Sequence, residues 1–367
     1  VDQPRKVYNP SSLALEGLLI EEQRTNVLLH NRDLSQSAWV KNDGPVITYD
    51  QTGLDGQASA AATVADNSTG LIAGVEQSVT IVADSATHVG MFIVGKNASP
   101  SAYPGISMQL SGGTKVEQQY TVNPANGAIV GRPSFNTGTA TLIDETPDFW
   151  LFQITATNNN TNSVLKWRFF PAVNEAFSGT WDTVATGSNV IDYPQVELNT
   201  SFATSPIETG ASQVTRSADD ARVPIGGEFN AGEFSFVYEG TMPLSSNSGR
   251  IYEYGPSTSN RILIYRNGSN VTLLVVSGGS NVVVSSVAGP AGGDPIKVAV
   301  RIQENNVALS VNGGAPIIDT LVTIPETTVR TVGHTASGFS YGNIAAKNIT
   351  EYARALSDAE LQELSTL

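Results

Sequence analysis

Apolar residues recur along this chain in short alternating runs, not in the three-to-four rhythm of a helix. Such runs fall at 74–81, 88–94, 105–110, 117–122, 149–157, 165–171 and 190–198. Alternation over so few residues predicts strands half-buried on a sheet. Between them lie Asp43-Gly44, Asp55-Gly56, Gly112-Gly113, Asn126-Gly127 and the polar stretch 158–162, which are turn-forming clusters. A second series follows at 233–239, 250–254, 261–266, 270–276, 281–286, 296–304 and 307–311, with hairpin-type turns at Asn267-Gly268 and Asn312-Gly313. The one helical signal is 357–364. Ser357 stands three residues before Glu360 in a capping-box pattern, and Leu361 and Leu364 share a face.

The pattern predicts an all-β protein of two tandem β-sandwich (jelly-roll) domains with a short C-terminal helix. The break between the two series is the Ser-, Thr- and Ala-rich stretch 199–222. Residues 17–215 and 216–367 are therefore assigned to the two sandwiches. Residues 1–16, polar and carrying Pro4 and Pro10, are read as an N-terminal arm or linker. At 367 residues the chain suits two cores better than one.

Composition narrows the function. The chain carries 34 acidic against 20 basic residues, a net charge of −14, and has no cluster of Lys and Arg to meet phosphates, which argues against nucleic acid. It has no cysteine, which removes disulfides, thiolate metal sites and cysteine nucleophiles. No apolar run is long enough to insert as a helix into a membrane. The first residue is Val1, as expected of a processed chain or part of a longer one.

Two resemblances emerge at particular segments. The run 296–301, then 307–313 ending in Asn312-Gly313, and the closing stretch 349–361 resemble the concanavalin A-like (laminin G-type) lectin and glucanase superfamily. The segments Glu22-Gln23-Arg24-Thr25-Asn26, Ala38-Trp39, Pro194-Gln195-Val196-Glu197, 202–207 and 214–219 resemble carbohydrate-binding-module-like jelly rolls of phage tail and head fibre proteins. Tyr193 departs from the pattern, standing where such proteins often carry Trp. These resemblances imply a noncatalytic fibre or spike protein on the virion that binds a host surface polysaccharide. They also imply a homotrimer joined to other virion proteins through the N-terminal arm. A structural fibre subunit without ligand, and a glycosidase or lyase module, remain as alternatives.

The catalytic alternatives lack their motifs. Retaining glucanases of the superfamily carry Glu-x-Asp-x-x-Glu on one strand, and that spacing occurs nowhere here. Glu21-Glu22 point to opposite faces of a strand, and Asp144-Glu145 with Asp148 lie about a turn. The histidines His30, His88 and His334 are isolated. No Gly-x-Ser-x-Gly elbow or phosphate-binding glycine loop is present.

Sugar binding needs flat apolar faces beside planar polar groups. Tyr252 and Tyr254 share a face, as either core or open sheet; Arg250, two residues earlier, favours the open side. Tyr265 joins them from the next strand, with Arg261 and Arg266 interleaved. Trp181, in Ser-Gly-Thr-Trp-Asp, is the best candidate for an exposed aromatic, whereas Trp39, Trp150 and Trp167 lie in apolar patterns and are assigned to the core. Asp50 and Asp55 in an acidic turn are candidates for a structural Ca²⁺.

Overall fold

The alternating runs form strands, and the one helix among the described residues is Asp358–Leu364. This computed structural model describes residues 5–8, 15–135, 138–225, 232–320 and 323–367. The chain divides into an inserted unit, Arg24–Arg216, and a flanking unit made of Val1–Gln23 and Ser217–Leu367.

The inserted unit is a sandwich of two six-stranded sheets, antiparallel at every pairing. One runs, in spatial order, Ile129–Gly131, Val116–Val122, Tyr103–Ser111, Val164–Asn174, Gly74–Thr80, Val40–Asn42. The other runs Ala140–Glu145, Phe149–Thr157, Thr87–Gly95, Gly187–Glu197, Ala61–Asp66, Val46–Gln51. Their facing sides share one core. Ile106, Met108, Leu165, Trp167 and Phe169 come from the first sheet, and Phe92, Phe152, Ile154 and Ile191 from the second. Trp167 stacks on Phe92 with centroids 4.6 Å apart and meets Trp39 edge-on at 5.7 Å. Truncating a ring so enclosed costs about 3–5 kcal/mol. Trp39 and Trp167 are thus core, as expected. Trp150 is only half-buried, its Nε1 donating to Pro124 O with Lys96 Nζ 3.8 Å from the ring.

The outer faces of these two sheets differ. That of the second is apolar and covered. Val89, Met91, Ile93, Phe149 and Leu151 pack with Tyr193 and with Ala203 from the segment after the last long strand. That of the first alternates with the core positions of Leu165–Phe169 and is polar.

The flanking unit pairs a seven-stranded sheet with a six-stranded one. The seven-stranded order is Lys6–Tyr8, Leu15–Ile20, Ile344–Tyr352, Glu233–Thr241, Pro295–Gln303, Val307–Val311, Ile317–Asp319. The six-stranded order is Arg222–Pro224, Val329–Val332, Asn247–Ser257, Asn260–Asn267, Asn270–Ser277, Ser280–Ala288. Phe234, Phe236, Tyr238, Val298 and Val300 face Ile251, Tyr254, Ile262, Ile264 and Leu273 in the core. The helix packs Leu361 over Val237, Ala299 and Ala308 on the other side of the larger sheet. Its N-cap is Ser357, with both capping-box bonds present, as the sequence predicts.

The N-terminal segment differs from expectation. Leu18, Leu19 and Ile20 pair with Ala346, Ala345 and Ile344, and Lys6–Tyr8 pairs with Leu15–Ile20. Within the expected arm, Lys6–Tyr8 and residues 15–16 are thus strand residues of the flanking sheet, and residues 17–23 belong with 217–367 rather than with the first sandwich. The rest of the expected arm, residues 1–4 and 9–14, lies outside the described residues.

Candidate functional site

On the outer face of the first sheet, cross-strand pairing assembles rows of polar residues. Glu117 pairs with Gln109, and Gln109 with Lys166; Gln119 pairs with Ser107, and Ser107 with Arg168, which in turn pairs with Glu76. Lys166 Nζ lies 2.7 Å from Glu76 Oε1. Arg168 donates to Glu117 Oε1 and, at 2.8 Å, to Ser107 Oγ. Lys115 Nζ holds the other Glu117 oxygen at 2.6 Å, and Arg132 Nη1 donates to Gln119 Oε1 at 2.7 Å. The Arg168 Nε–H is buried with no hydrogen-bond partner among the described residues. Burial pushes the Glu117 carboxyl up, but hydrogen bonds from Lys115 and Arg168 and the Arg168 charge bring it down to about 2.

Aromatic rings interleave with these cations. Phe170 and Trp181 meet edge-on at 5.3 Å, and the Trp181 Nε1–H donates to Thr121 Oγ1 at 2.9 Å. The Arg132 guanidinium sits 5.1 Å from the Trp181 ring and 4.7 Å from the Phe135 ring. Lys115 lies 5.9 Å from Phe135, and Arg168 5.8 Å from Phe170. Gly105 makes room for this: a Cβ there would come within 2.7 Å of Trp181 Cζ2. The three rings are half-buried, so each keeps exposed surface. Trp181 was legible in the sequence. Its companions Phe170, Arg168, Arg132 and Glu117 were missed, although the alternation Leu165-Lys166-Trp167-Arg168-Phe169-Phe170 places Lys166 and Arg168 opposite a hydrophobic face.

The flanking unit corrects the tyrosine assignment. Tyr252 and Tyr254 do share a face, but it is the core: they are 2% and 0% exposed. Their hydroxyls both donate to Glu351 Oε1, at 2.6 and 2.7 Å. Neither ring is available to a ligand. Arg250 is not on their face, because the pairing register shifts between Arg250 and Tyr252. That bulge turns both Ile251 and Tyr252 inward and leaves Arg250 on the opposite side. There the Arg250 guanidinium lies 5.3 Å from the half-buried Tyr265 ring and its Nε donates to Glu253 Oε2 at 2.9 Å. Arg250 also lines a cavity of about 290 Å³ with Glu253, Arg261 and Phe339.

The acidic turn holds no cluster suited to an ion. Asp50 accepts from Thr63 Oγ1 at 2.5 Å, while Asp55 pairs with Arg32 at 3.2 Å and accepts from the Tyr193 hydroxyl at 3.3 Å. Among the described residues no three acidic or histidine side chains come together to hold a metal. Arg32 stacks on Tyr193 at 4.0 Å and reaches buried Asp192 at 3.3 Å, so this corner is an internal ion network. The histidines are structural where buried. His334 Nε2 accepts from Ala221 N at 2.9 Å, and burial pushes the His88 pKa down.

No protein-family model matches the chain, and no curated protein matches it. Among solved structures it is similar to the CBM40 of a Ruminococcus gnavus IT-sialidase bound to α2,3-sialyllactose, with 14% identity over 38% of this chain and 85% of that one, TM-score 0.32. It is also similar to a point variant of human galectin-16, with 13% identity over 36% and 94% of the two chains, TM-score 0.28. A leech intramolecular trans-sialidase gives 16% identity over 40% of this chain and 27% of that chain, TM-score 0.31. The fold assignment rests on the sheets described above and not on these distant matches.

Proposed function

We propose that the protein is a noncatalytic glycan-binding protein whose ligand lies on the outer face of the inserted unit's first sheet. One observation carries this reading. Of that unit's two six-stranded sheets, one has its outer face covered by its own chain. The other presents Phe135, Phe170 and Trp181 interleaved with Lys115, Arg132 and Arg168. Aromatic faces receive the CH side of a sugar ring, and fixed planar donors and carboxylates meet its hydroxyls. Arg168 is already held by Ser107 and Glu117, so binding freezes little side-chain freedom. With its pKa near 2, Glu117 stays ionised at neutral pH. It accepts hydrogen bonds from hydroxyls and is unsuited to protonating a leaving group.

The finer reading is a subunit of a phage fibre or spike, displayed on the virion as a homotrimer and binding host surface polysaccharide. Its support is the resemblance carried by 22–26, 194–197 and 202–207, together with avidity: single sugar contacts are weak, and linked sites raise binding by orders of magnitude. A glycan array probed with wild type and Trp181→Ala tests the binding. Retention by the wild type on at least one glycan class, lost in the variant, supports it. Binding by neither, or equally by both, refutes it. Light scattering that finds only monomer, with no protein on particles, refutes the fibre reading alone.

A further inference from the structure

The flanking unit's cavity, about 290 Å³, is lined by Arg250, Glu253, Arg261, Thr335, Ser337 and Phe339 among others. Its charge is unbalanced. Two guanidiniums face one carboxylate, a net positive site in a chain of net charge −14. Arg250 is engaged, donating to Glu253 Oε2 and, at 2.8 Å, to Ser248 O. Arg261 is not. Its nearest carboxylate oxygen, Glu253 Oε2, stands 4.0 Å from Nη1, beyond hydrogen-bonding distance, and its Nε is buried without a partner among the described residues. Polar groups left this way are rare in folded proteins and call for an explanation.

Beside it, Phe339 is 69% exposed. The loop that carries it is closed by Thr335 N to Phe339 O at 2.9 Å and Phe339 N to Thr335 Oγ1 at 3.0 Å, and Gly338 takes a φ of +77°. Ser340 O accepts from Arg250 N at 3.1 Å. An exposed ring on a hydrogen-bonded loop is a prearranged contact surface.

We propose that this cavity binds an acidic sugar residue, with its carboxylate on Arg261 and the apolar side of its ring on Phe339. The guanidinium fork matches a planar carboxylate with two parallel bonds. A single negative charge completes neutrality. The hydroxyls of Thr335 and Ser337, 3.1 Å apart, supply partners for ring hydroxyls. This site is separate from the sheet face of the inserted unit and does not depend on it.

The test is calorimetric titration of the full chain with α-1,4-trigalacturonate, its neutral methyl ester and a sulfated neutral trisaccharide. If none of these binds, oligosaccharides ending in a carboxylated nonulosonate are titrated next. A carboxylated sugar should bind at least about tenfold tighter than its methyl ester, the value of one charge-assisted bond pair. Arg261→Gln should erase that preference, and Phe339→Ala, on an exposed loop, should weaken binding about fivefold. Binding here should leave tryptophan emission unchanged, because every tryptophan lies between residues 39 and 181. Equal binding of acid and ester, equal binding of the sulfated sugar, no binding of any carboxylated sugar, or a preference that survives Arg261→Gln would each overturn the proposal. So would a change in tryptophan emission on binding, which would place the sugar on the other unit.

Discussion

Glu117→Gln removes the charge that organises the inserted unit's outer face. Glu117 is 8% exposed and contacts Lys115, Arg168 and Gln119. Burial raises its pKa, and the cationic partners more than reverse this, to about 2 from 4.5. That difference is worth about 3 kcal/mol by linkage. Because the folded pKa is depressed, the stabilisation is fully present above pH 4.5 and is lost as pH falls through 2. The glutamine variant should therefore be about 3 kcal/mol less stable at pH 7, where Arg168 is left without its counter-charge. At pH 2.5 the gap should shrink below about 1 kcal/mol. Urea unfolding followed by tryptophan emission reads this directly, since all four tryptophans lie in the inserted unit. A gap below about 1 kcal/mol at pH 7, or one that does not change with pH, would refute the reasoning.

Further outcomes follow from the same contacts. Ser357→Ala removes the N-cap hydroxyl and its bonds to Glu360 N and Oε2, leaving only the backbone half of the capping box, and should destabilise the flanking unit by about 1 kcal/mol in scanning calorimetry; no loss would mean the hydroxyl does not hold the helix start. Tyr254→Phe deletes a buried hydroxyl bonded to Glu351 and should cost about 1 kcal/mol, whereas Tyr265→Phe, whose hydroxyl has no partner among the described residues, should be neutral within about 0.5 kcal/mol. Both are measured on the flanking unit's calorimetric transition. EDTA should leave the melting temperature unchanged, because Asp55 already pairs with Arg32; a rise in melting temperature on adding Ca²⁺ would contradict this.

Strand identity was legible because alternation is local. The runs at 165–171 and 296–304 each became strands, and the capping box at Ser357 became a helix start. Orientation was harder. Period two shows that Tyr252 and Tyr254 share a face without showing which face is inside, and the bulge before Tyr252 breaks the count that linked them to Arg250. The apolar run at 17–20 reads as a strand, but its pairing was hidden because the partner is remote: Leu18 pairs with Ala346, and no local pattern reports a contact across nearly the whole chain. The outer-face site was half legible. Trp181 stood out in a turn-rich context, but Phe170 reads as more hydrophobic run after Phe169 until the pairing with Gly105 shows it on the open side.

The most direct measurement of the glycan-binding claim is a titration of the four indole N–H signals by ¹⁵N-correlated NMR, using the glycan selected on the array. Trp39 and Trp167 are enclosed in the core, and Trp150 packs against the same core with its Nε1 donating to Pro124 O. The Trp181 indole, bonded to Thr121 Oγ1 on the open face, should shift progressively to saturation while the Trp39 and Trp167 signals stay in place. A saturated complex in which the Trp181 signal does not move, or moves no more than those of Trp39 and Trp167, would contradict binding on this face.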